Sequence, residues 1–337
     1  MAAIRISVTF LISVVLATLG MLVSQGFMPA FPLERQASHE SRIITFSEVL
    51  GEAKPCGLRP ETAASATDLG FSAEYQNVPA PSSAGLYRPL HARDLPGIVK
   101  LEPEHDIALT EVAKGHCSAT RIADDWFLTA AHCVSSGYDR IVLKVGSESL
   151  YSDDIRSVPV DYAVCHAGFR GQNTRYENDI SLLHIADENL PSLSDVPVID
   201  WGSTSRPFDK ISYRTARVGG WGLKTYKGDL NDHLQKMELD IVTIDPKQIS
   251  LASNAGRGPC VGDSGGPLII DDDGKPVLMG VLSTISSNRF GEMCAGRYVS
   301  NYTNLTAYRS WVFNIMAVCT EQEDDCRVKP GALPSKS

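Results

Sequence analysis

From residue 98 onward the chain is a series of short apolar or alternating runs broken by turn residues. They occupy 98–101, 126–128, 141–145 and 180–183, then 216–218, 239–242, 267–270 and 277–282. Runs this short, at this spacing, predict strands rather than long helices, and an all-β barrel or sandwich. One segment breaks the pattern. Within 306–318, Trp311, Val312, Ile315 and Met316 recur at helical spacing. It predicts a C-terminal helix docked on the second half, followed by a polar tail over 319–337 whose acidic stretch 320–325 is exposed. Apolar residues make up 43% of the 337, ordinary globular usage, and the length suggests about two domains. The net charge is −9 with no basic block, which argues against a nucleic-acid partner.

The N-terminus sets the compartment. Arg5 precedes an uncharged, mostly apolar run over 6–23, and Ser24-Gln25-Gly26 follows. A positive start, an apolar stretch and a small-residue exit form a secretory signal. The run is also long enough for an uncleaved anchor. Residues 1–26 are therefore a signal peptide or a signal anchor, and the membrane is a partner only if 6–23 remain. Both readings export the rest, as a secreted or periplasmic chain or as one anchored outside the cytoplasm. Residues 27–94 read as a propeptide or linker, with the loop-rich stretch Asn77-Val-Pro-Ala-Pro-Ser-Ser-Ala-Gly85 and with Arg88 and Arg93 as processing sites or plain loop arginines. The eight cysteines are an even number. In an exported chain they favour disulfides, and no cysteine or histidine cluster calls for a metal.

Three segments carry the chemistry. Gly262-Asp-Ser-Gly-Gly-Pro267 surrounds a serine with glycines that allow a tight turn. Such a turn can aim the N–H groups of Gly262 and Ser264 at one point, where an oxyanion would be stabilised. A serine hydroxyl is a poor nucleophile until a base takes its proton. Leu128-Thr-Ala-Ala-His-Cys133 supplies a candidate base, His132, behind small residues that let the ring reach a cleft. Glu177-Asn-Asp-Ile-Ser-Leu-Leu183 supplies Asp179, between a polar turn and an apolar run, where it could lie buried beneath the histidine. Taken singly, each has a plainer reading: a glycine-rich turn, a packing histidine, a strand-initiating aspartate.

Taken together these segments resemble the chymotrypsin/trypsin-like serine protease family. The order His132, Asp179, Ser264 is that family's order, not the subtilisin or α/β-hydrolase order. The resemblance covers residues 95–318. It implies two packed antiparallel six-stranded β-barrels with a C-terminal helix and a catalytic cleft between the barrels. It further implies an exported serine endopeptidase acting on proteins or peptides, without cofactor or metal. His132, Asp179 and Ser264 would be its triad, and the N–H groups of Gly262 and Ser264 its oxyanion hole. Val218-Gly-Gly-Trp-Gly222 and Leu234-Gln235 resemble the opening of the second barrel. Ser283 is similar to the serine that binds substrate backbone and supports the buried aspartate. Cys117 with Cys133, and Cys260 with Cys294, resemble two of the family's bridges. Cys319 with Cys326 would close a short loop, leaving Cys56 with Cys165, although four cysteines allow three connectivities.

Two departures stand out. Six residues before the nucleophile, where an aspartate would select Arg or Lys, the chain has Gly258, followed by Pro259. Ile285 narrows the pocket that the resemblance places there, and Gly296 fills its opposite wall. The expectation is a small or medium apolar residue before the scissile bond. Arg257 and Arg297, nearby in sequence, could instead favour an acidic residue there, but the expectation is that both lie at the surface. Second, many members free an Ile-Val-Gly-Gly terminus whose amine pairs with the aspartate before the nucleophile, here Asp263. No such tetrapeptide lies upstream of Cys117. Bacterial and V8-like members use a different terminus or none. The rival reading is a protease-like binding protein with weak or no catalysis, which the intact triad disfavours.

Overall fold

The computed structural model describes residues 53–56, 94–108, 111–135, 138–171, 175–254, 257–288, 290–321 and 326–327. The 6–23 run, most of the 27–94 segment and the chain beyond 327 lie outside the described residues.

Nine strands form the first sheet: β1 (Ala53–Pro55), β2 (Ile98–Ala108), β3 (Glu111–Lys114), β4 (Cys117–Arg121), β5 (Trp126–Thr129), β6 (Arg140–Val145), β7 (Arg156–Pro159), β8 (Tyr162–His166) and β9 (Ser181–His184). Their order is β1-β8-β9-β5-β4-β2-β6-β7, with β3 paired to β2. Seven more form the second: β10 (Asp200–Trp201), β11 (Thr215–Gly220), β12 (Gln235–Ile244), β13 (Gln248–Asn254), β14 (Pro267–Asp272), β15 (Lys275–Ile285) and β16 (Arg297–Asn304). Here the path β15-β14-β11-β12-β13-β16 returns through a β15–β16 pairing, and β10 lies parallel to β15 outside that ring. The second sheet is thus a closed six-stranded barrel, as expected. The first is a half-barrel whose path ends at β1 and β7.

Local sequence explains the layering. β5 is Trp-Phe-Leu-Thr, buried along its whole length, as suits a central strand. β12 alternates buried with more exposed positions, as suits a strand with one wet face. β1 comes from the 27–94 segment and pairs antiparallel with β8. Cys56 then bridges to Cys165 across 109 residues. The other bridges are Cys117–Cys133, Cys260–Cys294 and Cys319–Cys326.

The helix α1 (Leu305–Glu321) is longer at both ends than 306–318. It leaves β16 of the second barrel, and its buried face (Leu305, Tyr308, Trp311, Val312 and Ile315) joins a core that the first sheet shares with Ile269, Leu278 and Val281 of the second barrel. His166 on β8 meets the rings of Tyr308 and Trp311 at 5.5 and 5.3 Å. The helix also meets the second sheet: the Phe313 ring lies 4.8 Å from the Trp201 ring of β10, and Ile269 of β14 with Leu278 and Val281 of β15 share the same core. The expected docking on the second half is thus present, together with contacts to the first sheet. The expected tail boundary moves too. Cys319 lies inside the helix and Cys326 is buried against the same core, whereas Thr320 and Glu321 are exposed.

Candidate active site

The base and the acid come from the same end of the antiparallel β5–β9 pair, where Thr129 lies opposite Ser181. β5 runs into a single 3-10 turn, Ala131–Cys133, which lifts His132 off the sheet. β9 pairs with β5, and Asp179 sits just before it. The approach to Asp179 is tightly wound: Arg175, Tyr176 and Asn178 all have positive φ, at 49°, 59° and 58°, a costly region for non-glycine residues. Asn178 is fixed there by a hydrogen bond from the Tyr308 hydroxyl of α1, 3.0 Å.

Asp179 is fully buried, and its carboxylate is held by three donors. Oδ1 accepts the His132 backbone N–H at 2.9 Å, Oδ2 lies 2.7 Å from His132 Nδ1, and Oδ2 also accepts the Ser283 hydroxyl at 2.6 Å. The Thr303 hydroxyl donates to its backbone carbonyl at 2.9 Å. Ser283 and Thr303 belong to β15 and β16, so the second barrel grips an aspartate of the first. The Tyr176 ring stands edge-on to His132, centroids 5.8 Å apart.

Ser264 arrives from the second barrel on the turn before β14. Gly262 and Gly265 adopt φ of 93° and 77° there, which glycine alone adopts without steric cost. A Cβ on Gly265 would fall 2.3 Å from both Ser118 O and Thr129 Oγ1. The Ser118 N–H donates to Ser264 O at 2.7 Å. Ser118 adjoins Cys117, whose bridge ends at Cys133 beside His132. This places the serine against the histidine turn. Ser264 makes no side-chain hydrogen bond among the described residues, and neither its N–H nor that of Gly262 has a partner there. Hydrogen bonds of this kind often tighten only when a substrate is bound. The turn itself is tied by Gly265 N–H to Leu282 O at 2.8 Å and Gly266 N–H to Asp263 O at 2.9 Å.

Asp263 is buried beneath this turn. Its Oδ1 accepts Gly222 N–H at 2.6 Å and its Oδ2 accepts Cys260 N–H at 2.8 Å. Burial pushes its carboxyl above the ordinary value; those two bonds and the charge of Lys100 oppose the rise.

The expected pocket residues fall into two groups. Ile285 lies opposite Ser300 on β16, and the Ser300 hydroxyl is 2.8 Å from that of Ser253. A Cβ on Gly258 would fall 2.5 Å from both Ser253 Cβ and the Tyr298 hydroxyl. The Tyr298 hydroxyl donates to Pro259 O at 2.8 Å, and burial pushes its ionisation above the ordinary tyrosine range, with the Asp263 charge adding to the effect. Gly258, Pro259 and Ile285 are thus linked indirectly, through Tyr298, Ser253 and Ser300. Gly296 stands apart on an exposed turn against Asn288. Arg257 and Arg297 are exposed, as expected. Cys117, His132 and Cys133 also bring ligand-type atoms within 4.8 Å of one another, but both sulfurs are joined to each other in the disulfide.

Residues 98–312 match the trypsin family. The chain belongs to that family. Among its relatives is granzyme M of Rattus norvegicus, 28% identical over 228 residues, which are 62% of this chain and 83% of that protein. Chymotrypsin-like elastase family member 1 of Canis lupus familiaris is 30% identical over 217 residues, 60% and 81% of the two chains. A collagenase of Hypoderma lineatum is 26% identical over 226 residues, 64% and 82%. The protein is a serine endopeptidase acting on proteins or peptides.

Three residues of this trypsin-family site escape a reading of the sequence. Tyr176 and Thr303 flank the histidine–aspartate pair from distant positions and carry no motif. Lys100 could have been noticed: it is the one charge in the apolar run 98–101, where a strand buried on both faces has no wet side for it.

Proposed function

We propose that the chain hydrolyses peptide bonds through His132, Asp179 and Ser264. The observation that carries this is the paired grip of Asp179 on His132, through the ring at 2.7 Å and the backbone at 2.9 Å. That grip keeps the Nδ1 proton toward Asp179 and leaves Nε2 free to take the Ser264 proton. Ser264 Oγ then attacks the substrate carbonyl, and the N–H groups of Gly262 and Ser264 bind the oxyanion. His132 returns the proton to the leaving amine as the C–N bond breaks. Water, activated by the same histidine, releases the acyl group and regenerates the serine.

The residue before the scissile bond is small or medium and apolar. Gly258 brings no carboxylate to the pocket floor, Ile285 narrows the wall, and the elastase relative carries a name consistent with that choice. A series of peptide amides differing only at this residue tests it. Expected is a kcat/KM for Ala and Val above that for Arg and Lys by about tenfold or more, the scale of pocket discrimination between side chains. A preference for Arg or Lys would contradict it.

Export is part of the proposal. Four disulfides support it, since such bonds persist in oxidising compartments. None of the described helices is long and apolar enough to cross a membrane. Any processing at Arg88 or Arg93 would leave residue 56 attached through its bond to Cys165.

A further inference from the structure

One face of β2 carries a row of charges. Lys100, Glu102 and Glu104 alternate with their neighbours along the strand and share a side. Glu104 pairs with Lys114 and Arg140 at 3.2 and 2.6 Å. Glu102 pairs with Lys114 and Lys144 at 3.2 and 3.8 Å. Only Lys100, at the inner end, is left over. Its side chain is fully buried, and its Nζ has no hydrogen-bond partner among the described residues.

A carboxylate in the same position is Asp263. It holds two backbone N–H bonds and no cation in ion-pair contact among the described residues. An ionised carboxylate has about four lone-pair sites, so half its capacity remains. The two groups converge through Ser118, which sits opposite Lys100 in the β2–β4 register. The Ser118 hydroxyl and Asp263 Oδ1 crowd one point beside Gly220: a Cβ there would lie 3.1 and 2.3 Å from them. The Ser118 hydroxyl is itself buried without a hydrogen-bond partner among the described residues, and so is His116 Nδ1 nearby. A lone ammonium, a lone hydroxyl and a half-satisfied carboxylate thus lie together beneath the serine turn.

We propose that the Lys100 ammonium is the internal positive partner of the Asp263 carboxylate, and that this positioning pair holds the 262–264 turn with its N–H groups aimed at the oxyanion. Neither residue touches the reacting atoms. Lys100 supplies the charge that keeps Asp263 ionised, and Asp263 in turn holds Gly222 and Cys260 at either side of the turn. The ammonium is part of the strand, so the device needs no freed chain terminus. The inference rests on the proposed role of Ser264.

Proton dependence follows from the surroundings. Burial pulls the Lys100 ammonium down to about 8, with Asp263 and then Glu102 opposing the fall. His116 is pulled to about 4 by burial and by the charges of Lys100 and Lys114, with Glu102 opposing, so it is neutral near pH 7. Lys144, opposite Lys100 on β6, is committed to Glu102, and Tyr298 and Tyr302, near Asp263, are both pushed up by burial. Lys100 is therefore the group on this face that loses its charge in the mildly alkaline range.

The test uses the full disulfide-bonded chain, a fluorophosphonate probe and an apolar peptide amide. Lys100→Met is expected to slow labelling of Ser264 and lower kcat by about 10²-fold, the scale of losing an oxyanion donor, with KM little changed. Lys100→Arg keeps its proton at all working pH values, so it is expected to retain labelling and to move the alkaline fall in kcat/KM upward by at least about one pH unit. Labelling of Lys100→Met at the wild-type rate would overturn the proposal, as would an alkaline limb that stays in place in Lys100→Arg. Should Lys100→Met fail to fold, the limb of Lys100→Arg decides alone. Absence of labelling in the wild-type chain is a separate result, which removes the role of Ser264 and this inference with it.

Discussion

Asp179, just before β9, and Asp263, in the turn before β14, are both buried carboxylates, held in opposite ways. Asp179 receives its donors at contact distance from His132 and from Ser283 across the barrel boundary. Asp263 receives two backbone N–H groups and has for its proposed partner an ammonium that no hydrogen bond reaches among the described residues. Hydrogen bonds at contact fix direction, which the histidine tautomer requires. A charge in a poorly screened interior acts over a longer distance and fixes less direction. That suffices for Asp263, whose task is to stay ionised under a turn already shaped by glycines.

The contrast can be broken at each end. Asp179→Asn presents an amide to His132 and reverses the ring's proton preference; kcat should fall by about 10⁴-fold with little change in KM, read from steady-state hydrolysis of an apolar peptide amide. Asp263→Asn leaves the histidine pair intact and loosens the oxyanion turn; the expected loss in kcat is smaller, about 10²- to 10³-fold. Equal losses in the two variants would dissolve the distinction. Raising the pH sharpens it. Lys100, at about 8, is about nine-tenths deprotonated at pH 9, so kcat/KM should drop about tenfold between pH 7 and 9. Stability should not fall with it. From about 8 up to the ordinary lysine value of 10.5, the unfolded chain binds more protons at Lys100 than the folded one, so this group adds stability as the pH rises. Thermal melts at pH 7 and 9 check this, and a parallel loss of melting temperature would assign the activity loss to unfolding. The smallest change is Ser283→Ala. It removes one of several bonds to Asp179 and should cost at most about tenfold in kcat/KM, since the others hold the carboxylate.

Much of this was legible in the chain. His132 and Ser264 lie in motifs whose small residues betray the turns they need, and the family resemblance suggested two of the bridges found, the short Cys319–Cys326 loop a third. The second barrel is regular and closes as expected. What escaped was decided by tertiary pairing. β4 reads Cys-Ser-Ala-Thr-Arg and has no apolar run, yet it is buried because β2 and β5 flank it. β1 became a strand because Cys56 brings the 27–94 segment to β8. The helix was visible in its stripe, but the stripe does not say that the first sheet shares in burying it. Asp263 was legible as a structural residue; its partner was not, because Lys100 lies far upstream and only the β2–β4 register and the barrel contact bring it beneath the turn.

The central claim is that Ser264 is a nucleophile driven by His132. The most direct measurement is intact-protein and peptide mass spectrometry after exposure of the full chain to a fluorophosphonate. The expected result is one adduct, located on Ser264, absent in Ser264→Ala and formed at least about 10³-fold more slowly in His132→Ala. An adduct on another residue, or a His132→Ala chain that labels as fast as the wild type, would contradict it.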